Sequence, residues 1–161
     1  MSEVKVAENE DVDDLVSLNR DVQSLHAALY PNDFRPHADP AALRHLLVNV
    51  IADKMHKVGV HPGPTGAKGY VWIELQDRPE TALTPASRQI YIHHIAVSCE
   101  YRRKGVASSL MRWVDEYAAL MGIDQILLDH WVANDSAHAF FASIGYSPLR
   151  IVMRKNLRDV C

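Results

Sequence analysis

The feature that most constrains this chain is an unbroken run of strand, basic turn, helix and strand. "QIYIHHIAVS" (Gln89–Ser98) is β-branched and alternating, the composition of a strand with one buried face. "YRRKGVASSLM" (Tyr101–Met111) then crowds Arg102, Arg103 and Lys104 against Gly105 and turns amphipathic. Val106, Leu110, Trp113, Val114, Tyr117, Ala118 and Met121 share one helical stripe, which stops at Gly122, a residue suited to the position just past a helix end. "QILLDHW" (Gln125–Trp131) reads as the next strand. Two strands joined by a helical crossover run parallel and connect with a right hand. The chain is therefore expected to fold as an α/β (α+β) layered domain built on a mixed sheet.

Other segments fit around this unit. Val4–Ala7 alternates weakly and reads as a short first strand. Asp11 is placed to cap a helix carrying Val12, Leu15, Val16, Leu18, Val22, Leu25, Ala28 and Leu29. It ends at "YPNDFRPHADP", where three prolines forbid continuation. Pro40 sits where a first-turn proline is tolerated, and Ala42, Leu43, Leu46, Leu47, Val50 and Ile51 mark a second helix. "HPGPTGAKG" (His61–Gly69) has turn chemistry and reads as the long loop of a hairpin joining Met55–Val60 to Tyr70–Leu75. Asn134–Tyr146 is expected as a short helix closed by Gly145, and Ile151–Lys155 as a final strand. Residues 1–161 are read as one domain, long enough to bury a core without staples.

Bulk properties narrow the classes. A net charge of −3 argues against a nucleic-acid or anionic-membrane partner, so the basic cluster is a local feature. The two cysteines, Cys99 and Cys161, suggest no disulfide framework and fit a reducing compartment. "MSEVKVAENEDVDD" lacks the apolar core of a signal peptide, and no run approaches the ~18 apolar residues of a membrane span. A cytoplasmic protein is expected.

The basic turn has a chemical reading. A helix N-terminus offers unpaired N–H groups and about half a positive charge, which suits phosphate oxygens. Gly105 lacks a Cβ and lets the backbone approach a bulky anion, and Ala107 is nearly as small. Alternatively, this is a helix start whose basic side chains lie in solvent. No Gly-x-x-x-x-Gly-Lys-[Ser/Thr] loop occurs, and the third glycine of the dinucleotide fingerprint is missing. The cofactor suggested is a phosphate-bearing one other than ATP or NAD.

With its downstream partner, this turn resembles a known family. "YIHHIAVSCEYRRKGVASSLM" followed by "ILLDHWVANDSAHAFFASIGY" is similar to the GNAT superfamily of acyl-CoA-dependent N-acetyltransferases. The matching residues are Ala96 and Val97, the [Gln/Arg]-x-x-Gly-x-[Gly/Ala] stretch Arg102–Ala107, and Asn134, Ala137, Phe140, Phe141, Gly145 and Tyr146. The resemblance implies a mostly antiparallel sheet whose central parallel pair splays to admit acyl-CoA. It implies that the coenzyme A diphosphate rests on amides from Arg103 through Lys104, Gly105, Val106 and Ala107 to Ser108. The pantetheine arm would lie against Ile95–Val97, with an N–H near Ala96 or Val97 polarising the thioester. Asn134 would contact the cofactor arm, leaving Asp135 or Ser136 to cap the following helix; capping by Asn134 itself is the alternative. Homodimers are frequent in the family, so a second copy is among the expected partners.

Direct acetyl transfer needs a base, because an alkyl amine with a pKa near 10 is free in only about one molecule per thousand at neutral pH. Strand alternation groups Tyr91, His93, Ile95 and Val97 on one face and Ile92, His94 and Ala96 on the other. "YIHHIAV" is similar to the corresponding strand of the arylalkylamine N-acetyltransferases, which have a histidine where His93 falls. His93 is thus the expected base, with Glu74 of "YVWIEL" its rival and His94 structural. Adjacent histidines on opposite faces cannot share an ion, and no zinc spacing occurs, so no metal is expected. Phe141 stands where many members carry a tyrosine as general acid, which leaves the acid unassigned. Phe34 and Arg35, in the proline-rich loop, and Tyr91 are expected near the acceptor, a small-molecule or peptide amine. The expected function is N-acetyl transfer from acetyl-CoA to a primary amine. The alternative is a non-catalytic acyl-CoA-binding sensor or partner subunit.

Overall fold

The computed structural model describes residues 3–158. The chain divides into two compact units, one through Asp129 and one from His130 onward. In the first unit the order is β1 (Lys5–Val6), α1 (Val12–Leu29), α2 (Pro40–Ala52), β2 (His56–Gly63), β3 (Gly66–Arg78), β4 (Ser87–Val97), α3 (Val106–Met121) and β5 (Ile126–Leu128). The second contains α4 (Asp135–Ser143).

The five strands form one sheet in the order β1-β2-β3-β4-β5, antiparallel throughout except for the parallel pair β4 and β5. The parallel pair in a mixed α/β sheet is as expected from the crossover, and the mostly antiparallel remainder is as the resemblance implied. On one face Val58, Val60, Tyr70, Trp72 and Ala96 bury against Val12, Leu15 and Leu18 of α1 and Leu47 and Val50 of α2. α3 packs on the other face. Gly59 gives Trp113 room there, since a Cβ on it would lie 2.7 Å from the indole. Among the described residues no helix is long and apolar enough to cross a membrane.

Local chemistry explains most boundaries. Asp39 caps α2 by accepting from the amides of Ala41 and Ala42, and Pro40 follows at the first helical position. Asp11 precedes α1, yet its carboxylate accepts from the Glu8 amide and from Lys5, so it closes the preceding turn and does not cap α1.

Three expectations need correction. The hairpin is tight: Gly63 pairs with Gly66 around Pro64 and Thr65, so "HPGPTGAKG" mostly belongs to strands. Its turn residues serve a bulge at His61/Pro62 and the reversal itself. β5 is confined to Ile126–Leu128, short of Gln125–Trp131. Residues 151–155 form no strand, and Ile151, Val152 and Met153 are exposed.

The short β5 has a cause in β4. Trp72 pairs with His94 and Ile73 with Ile92, so His93 is an extra residue, a bulge. Such a bulge bends its strand. The β4–β5 register ends at Ile92 with Leu128, immediately before it. The parallel pair therefore opens where His93 interrupts the pleat.

Candidate active site

The turn after β4 leads into the α3 N-terminus. Gly105 is the residue before the helix at φ 82°, and as a glycine it brings no side chain to cap the end. A Cβ at Gly105 would meet nothing within 4 Å, so the ground before the helix is open. Arg103 is also left-handed, at φ 59°. Ser109 donates to the Gly105 carbonyl, and the first-turn amides that precede it point out of the helix end. Val106 is buried, and its Cγ1 would lie 3.1 Å from a Cβ on Gly69, so it seats the helix on β3. Arg102 Nε donates to the Val97 carbonyl at 3.3 Å. Lys68 and Lys104 stand 5.5 and 5.6 Å from the Tyr101 ring centre, which brings a cation from β3 to the basic turn.

Between bulge and turn, β4 offers a polar edge. Ser98 donates to Lys68 on the β3 side. By alternation the N–H groups of Ile95 and Val97 face the opposite side, where β5 has ended, while that of Ala96 faces β3. Of the amides expected to polarise a carbonyl, the geometry favours Val97 or Ile95 over Ala96.

At the bulge the two rival bases meet. His93 Nε2 and Glu74 Oε2 are 2.7 Å apart, and both side chains are roughly a quarter exposed. Burial acts to raise the Glu74 carboxyl. Hydrogen bonds from Gln76 and His93, with the charges of His93 and His56, prevail and hold it below its ordinary value. An ionised carboxylate only accepts, so in the neutral ring His93 Nε2 carries the proton and the lone pair is on Nδ1. Trp72 stacks on His93 with ring centres 4.6 Å apart, and Tyr91 meets it edge-on at 5.0 Å. Tyr91 also donates to Asp129.

The bulge overturns the simple alternation. After His93 the faces switch: His94 and Ala96 join Tyr91 on the Trp72 side, while Ile95 and Val97 join Ile92. Trp72 touches both histidines, His94 edge-on at 5.1 Å. His94 lies 3.4 Å from the Tyr70 hydroxyl, which receives the Asn19 amide. Burial, with the charges of His93 and His26, pushes His94 down to about 4, and burial pushes Tyr70 up to about 12. His94 is thus a neutral, structural histidine on the same side as His93.

A third residue, missed in the sequence, completes the group. His56 lies opposite Glu74 in the β2–β3 register. A ligand atom from each of His56, Glu74 and His93 lies within 4.8 Å of the others, a set whose composition would admit a metal. Gln76 on β3 was also missed, and it donates to Glu74 at 2.9 Å. No spacing signal flags either residue, because strand register alone brings them to His93.

The remaining expected residues have local contacts of their own. Phe34 packs on His26 of α1 at 4.9 Å, and the Arg35 carbonyl accepts from Gln23, so the contacts described for this loop are to α1. In the second unit Asn134 Oδ1 accepts from the Ala137 amide and so caps α4 itself, where Asp135 or Ser136 had been expected to do so. Phe141 is buried beside Phe140 and Tyr146.

Comparison with known proteins identifies the family and the fold that carry these residues. Residues 66–146 match the model of the acetyltransferase (GNAT) family. A 63-residue stretch is 32% identical to human N-acetyltransferase 8, covering 39% of this chain and 28% of that protein. A mutant of the BH1408 protein from Bacillus halodurans superposes with a TM-score of 0.88 at 22% identity, over 96% of this chain and 98% of that one. A predicted acetyltransferase from Clostridium acetobutylicum, solved with acetyl-CoA, gives 0.72 at 18% identity, over 97% and 96% of the two chains. At those identities the superpositions establish the fold. The residues matched by the family model contain β3 and its Glu74, the bulged β4 and the α3 turn: the chain belongs to the GNAT acetyltransferase family.

Proposed function

We propose that this chain is an N-acetyltransferase that moves an acetyl group from acetyl-CoA directly to a primary amine of a small molecule or peptide. The observation that carries the reading is the His93–Glu74 pair at 2.7 Å, on a strand whose bulge opens the sheet beside it. The open ground before α3 suits a diphosphate, because a Cβ at Gly105 would occupy the space where a phosphate must come close. The family match runs through Asp129, which supports both units serving one domain.

Acetyl-CoA supplies the thioester whose carbonyl carbon the amine attacks, with loss of the thiolate. The α3 amides and the basic turn hold the diphosphate. The N–H of Val97 or Ile95 donates to the carbonyl oxygen as charge builds on it. His93 Nδ1 removes a proton from the amine, and Glu74 holds the ring and stabilises the imidazolium that results. A thiol of pKa about 8.5 departs tolerably as thiolate, so the reaction proceeds with phenylalanine at position 141. The imidazolium then loses its proton to solvent.

The test follows free thiol while the protein is incubated with acetyl-CoA and a panel of alkylamines, aminoglycosides and peptides. Amine-dependent thiol release is the expected result. Coenzyme A binding without turnover across the panel would favour the sensor or partner-subunit reading, and the absence of binding would overturn both.

A further inference from the structure

His56 stands beside the base in a defined protonation geometry. Trp72 Nε1 donates to His56 Nδ1 at 3.0 Å. An indole N–H can only donate, so Nδ1 presents its lone pair there and the proton of the neutral ring resides on Nε2. His56 is paired with Glu74 across β2 and β3, which puts both side chains on one face. Its ring centre lies 5.7 Å from Trp72 and 5.7 Å from His93. Trp72 therefore engages both histidines, stacking on one and hydrogen-bonding the other.

From this arrangement we infer that His56 is a positioning residue for the base, locked by Trp72 so that its Nε2–H faces the Glu74 carboxylate. The inference rests on the reading of His93 as base and deepens it. Glu74 accepts from Gln76 Nε2 and pairs with His93 Nε2, and a His56 ring nitrogen comes within 4.8 Å of its carboxylate. A carboxylate so engaged stays an acceptor and does not swing out to take the substrate proton. It keeps His93 in the single tautomer that exposes Nδ1.

The same lock weighs against the metal reading of His56, Glu74 and His93. An ion on His56 Nε2 would require the proton to move to Nδ1, where it would face the Trp72 N–H, donor against donor. The composition of the cluster admits a metal, and Trp72 turns it towards hydrogen bonding.

Long-range proton–nitrogen correlation spectra of the whole protein, labelled with nitrogen-15 histidine, read both tautomers without turnover. The expected result at about pH 8 is protonated Nε2 and bare Nδ1 for His56 and for His93. His56→Leu should leave His93 as a mixture of tautomers and lower kcat about five- to tenfold. The KM for amine and the affinity for coenzyme A should stay within twofold. His56→Gln retains an N–H at similar reach and should restore most of both signals. A proton on Nδ1 of His56, or a His93 tautomer and kcat indifferent to His56→Leu, overturns the inference. So does micromolar Zn²⁺ that removes the Nε2–H signals of His56 and His93 together, since that marks a metal centre. If no amine is a substrate, the functional reading fails while the spectra still decide the role of His56. If turnover is present and the spectra ignore His56→Leu, this inference alone fails.

Discussion

The turn after β4 and the bulge within β4 lie on the same stretch of chain, a few residues apart, and they are built by opposite means. The turn is made of backbone: a left-handed Gly105, a left-handed Arg103 and an uncapped helix end. Its side chains mostly stand aside, with Arg102 folded onto Val97 and Lys104 over Tyr101. The bulge is made of side chains gathered from three strands, His56 from β2, Trp72, Glu74 and Gln76 from β3, and His93 from β4. A backbone site tolerates much change in side chain and little in conformation. A register site has the reverse sensitivity, since each member is replaceable in shape yet fixed in chemistry.

The largest expected effect separates the two regions most cleanly. His93→Ala should lower kcat about a thousand-fold, within the range for losing a general base, while calorimetric affinity for coenzyme A stays unchanged. Glu74→Gln should cost less, about ten- to a hundred-fold, because the amide keeps the shape but can donate as well as accept and so releases the His93 tautomer. Equal losses of binding and kcat in His93→Ala would break the division of labour.

Gly105→Asp tests the other side. Its Cβ enters open space, and aspartate tolerates left-handed backbone better than most residues, so the fold should persist by circular dichroism. A carboxylate where phosphate must approach should weaken coenzyme A about a hundred-fold, or ~2.7 kcal/mol. Unchanged affinity would remove the cradle from the account.

The bulge also carries an acid-sensitive residue. His94 is held at about 4 against an ordinary 6.5, so between those values the unfolded chain binds a proton that the folded chain refuses. Its contribution is complete above about pH 6.5 and declines as pH falls towards 4, by ~2–3 kcal/mol. Glu74, held below 4.5, adds a loss of the same sign only at still lower pH. Urea unfolding against pH should show this slope, and His94→Gln should flatten it between pH 6.5 and 4.

The smallest effect touches both regions. A Cβ at Gly69 would sit 2.7 Å from the Ala96 carbonyl and 3.1 Å from Val106, which seats α3. Gly69→Ala should cost about 1–2 kcal/mol in denaturant unfolding and weaken coenzyme A a few-fold. A stability loss with full affinity would show that the cradle keeps its shape when its seat is disturbed.

Much of the fold was legible because it follows from short-range patterns. The α3 stripe from Val106 to Met121, the Gly122 stop and the parallel pairing of its flanking strands are dictated by periodicity and crossover geometry. Pro40 announced α2 in the same way, while the Asp39 cap beside it emerged only in the structure. "HPGPTGAKG" misled because its glycines and prolines serve a bulge and a tight reversal, and turn chemistry does not reveal how many residues a turn consumes. The apolar run at Ile151–Met153 reads as a strand by composition, yet composition supplies no pairing partner.

By itself, then, the sequence determined the strand–helix–strand crossover and a glycine-opened helix N-terminus with basic neighbours, since both depend on residues close along the chain. It also placed a histidine on the strand feeding that turn. Only the tertiary structure decided that His93 is an extra residue in β4, that His94 shares its side, and that His56, Trp72, Glu74 and Gln76 surround it. The physical reason is that a single-residue shift in strand pairing moves every later side chain to the other face, and that shift is set by partners far along the chain.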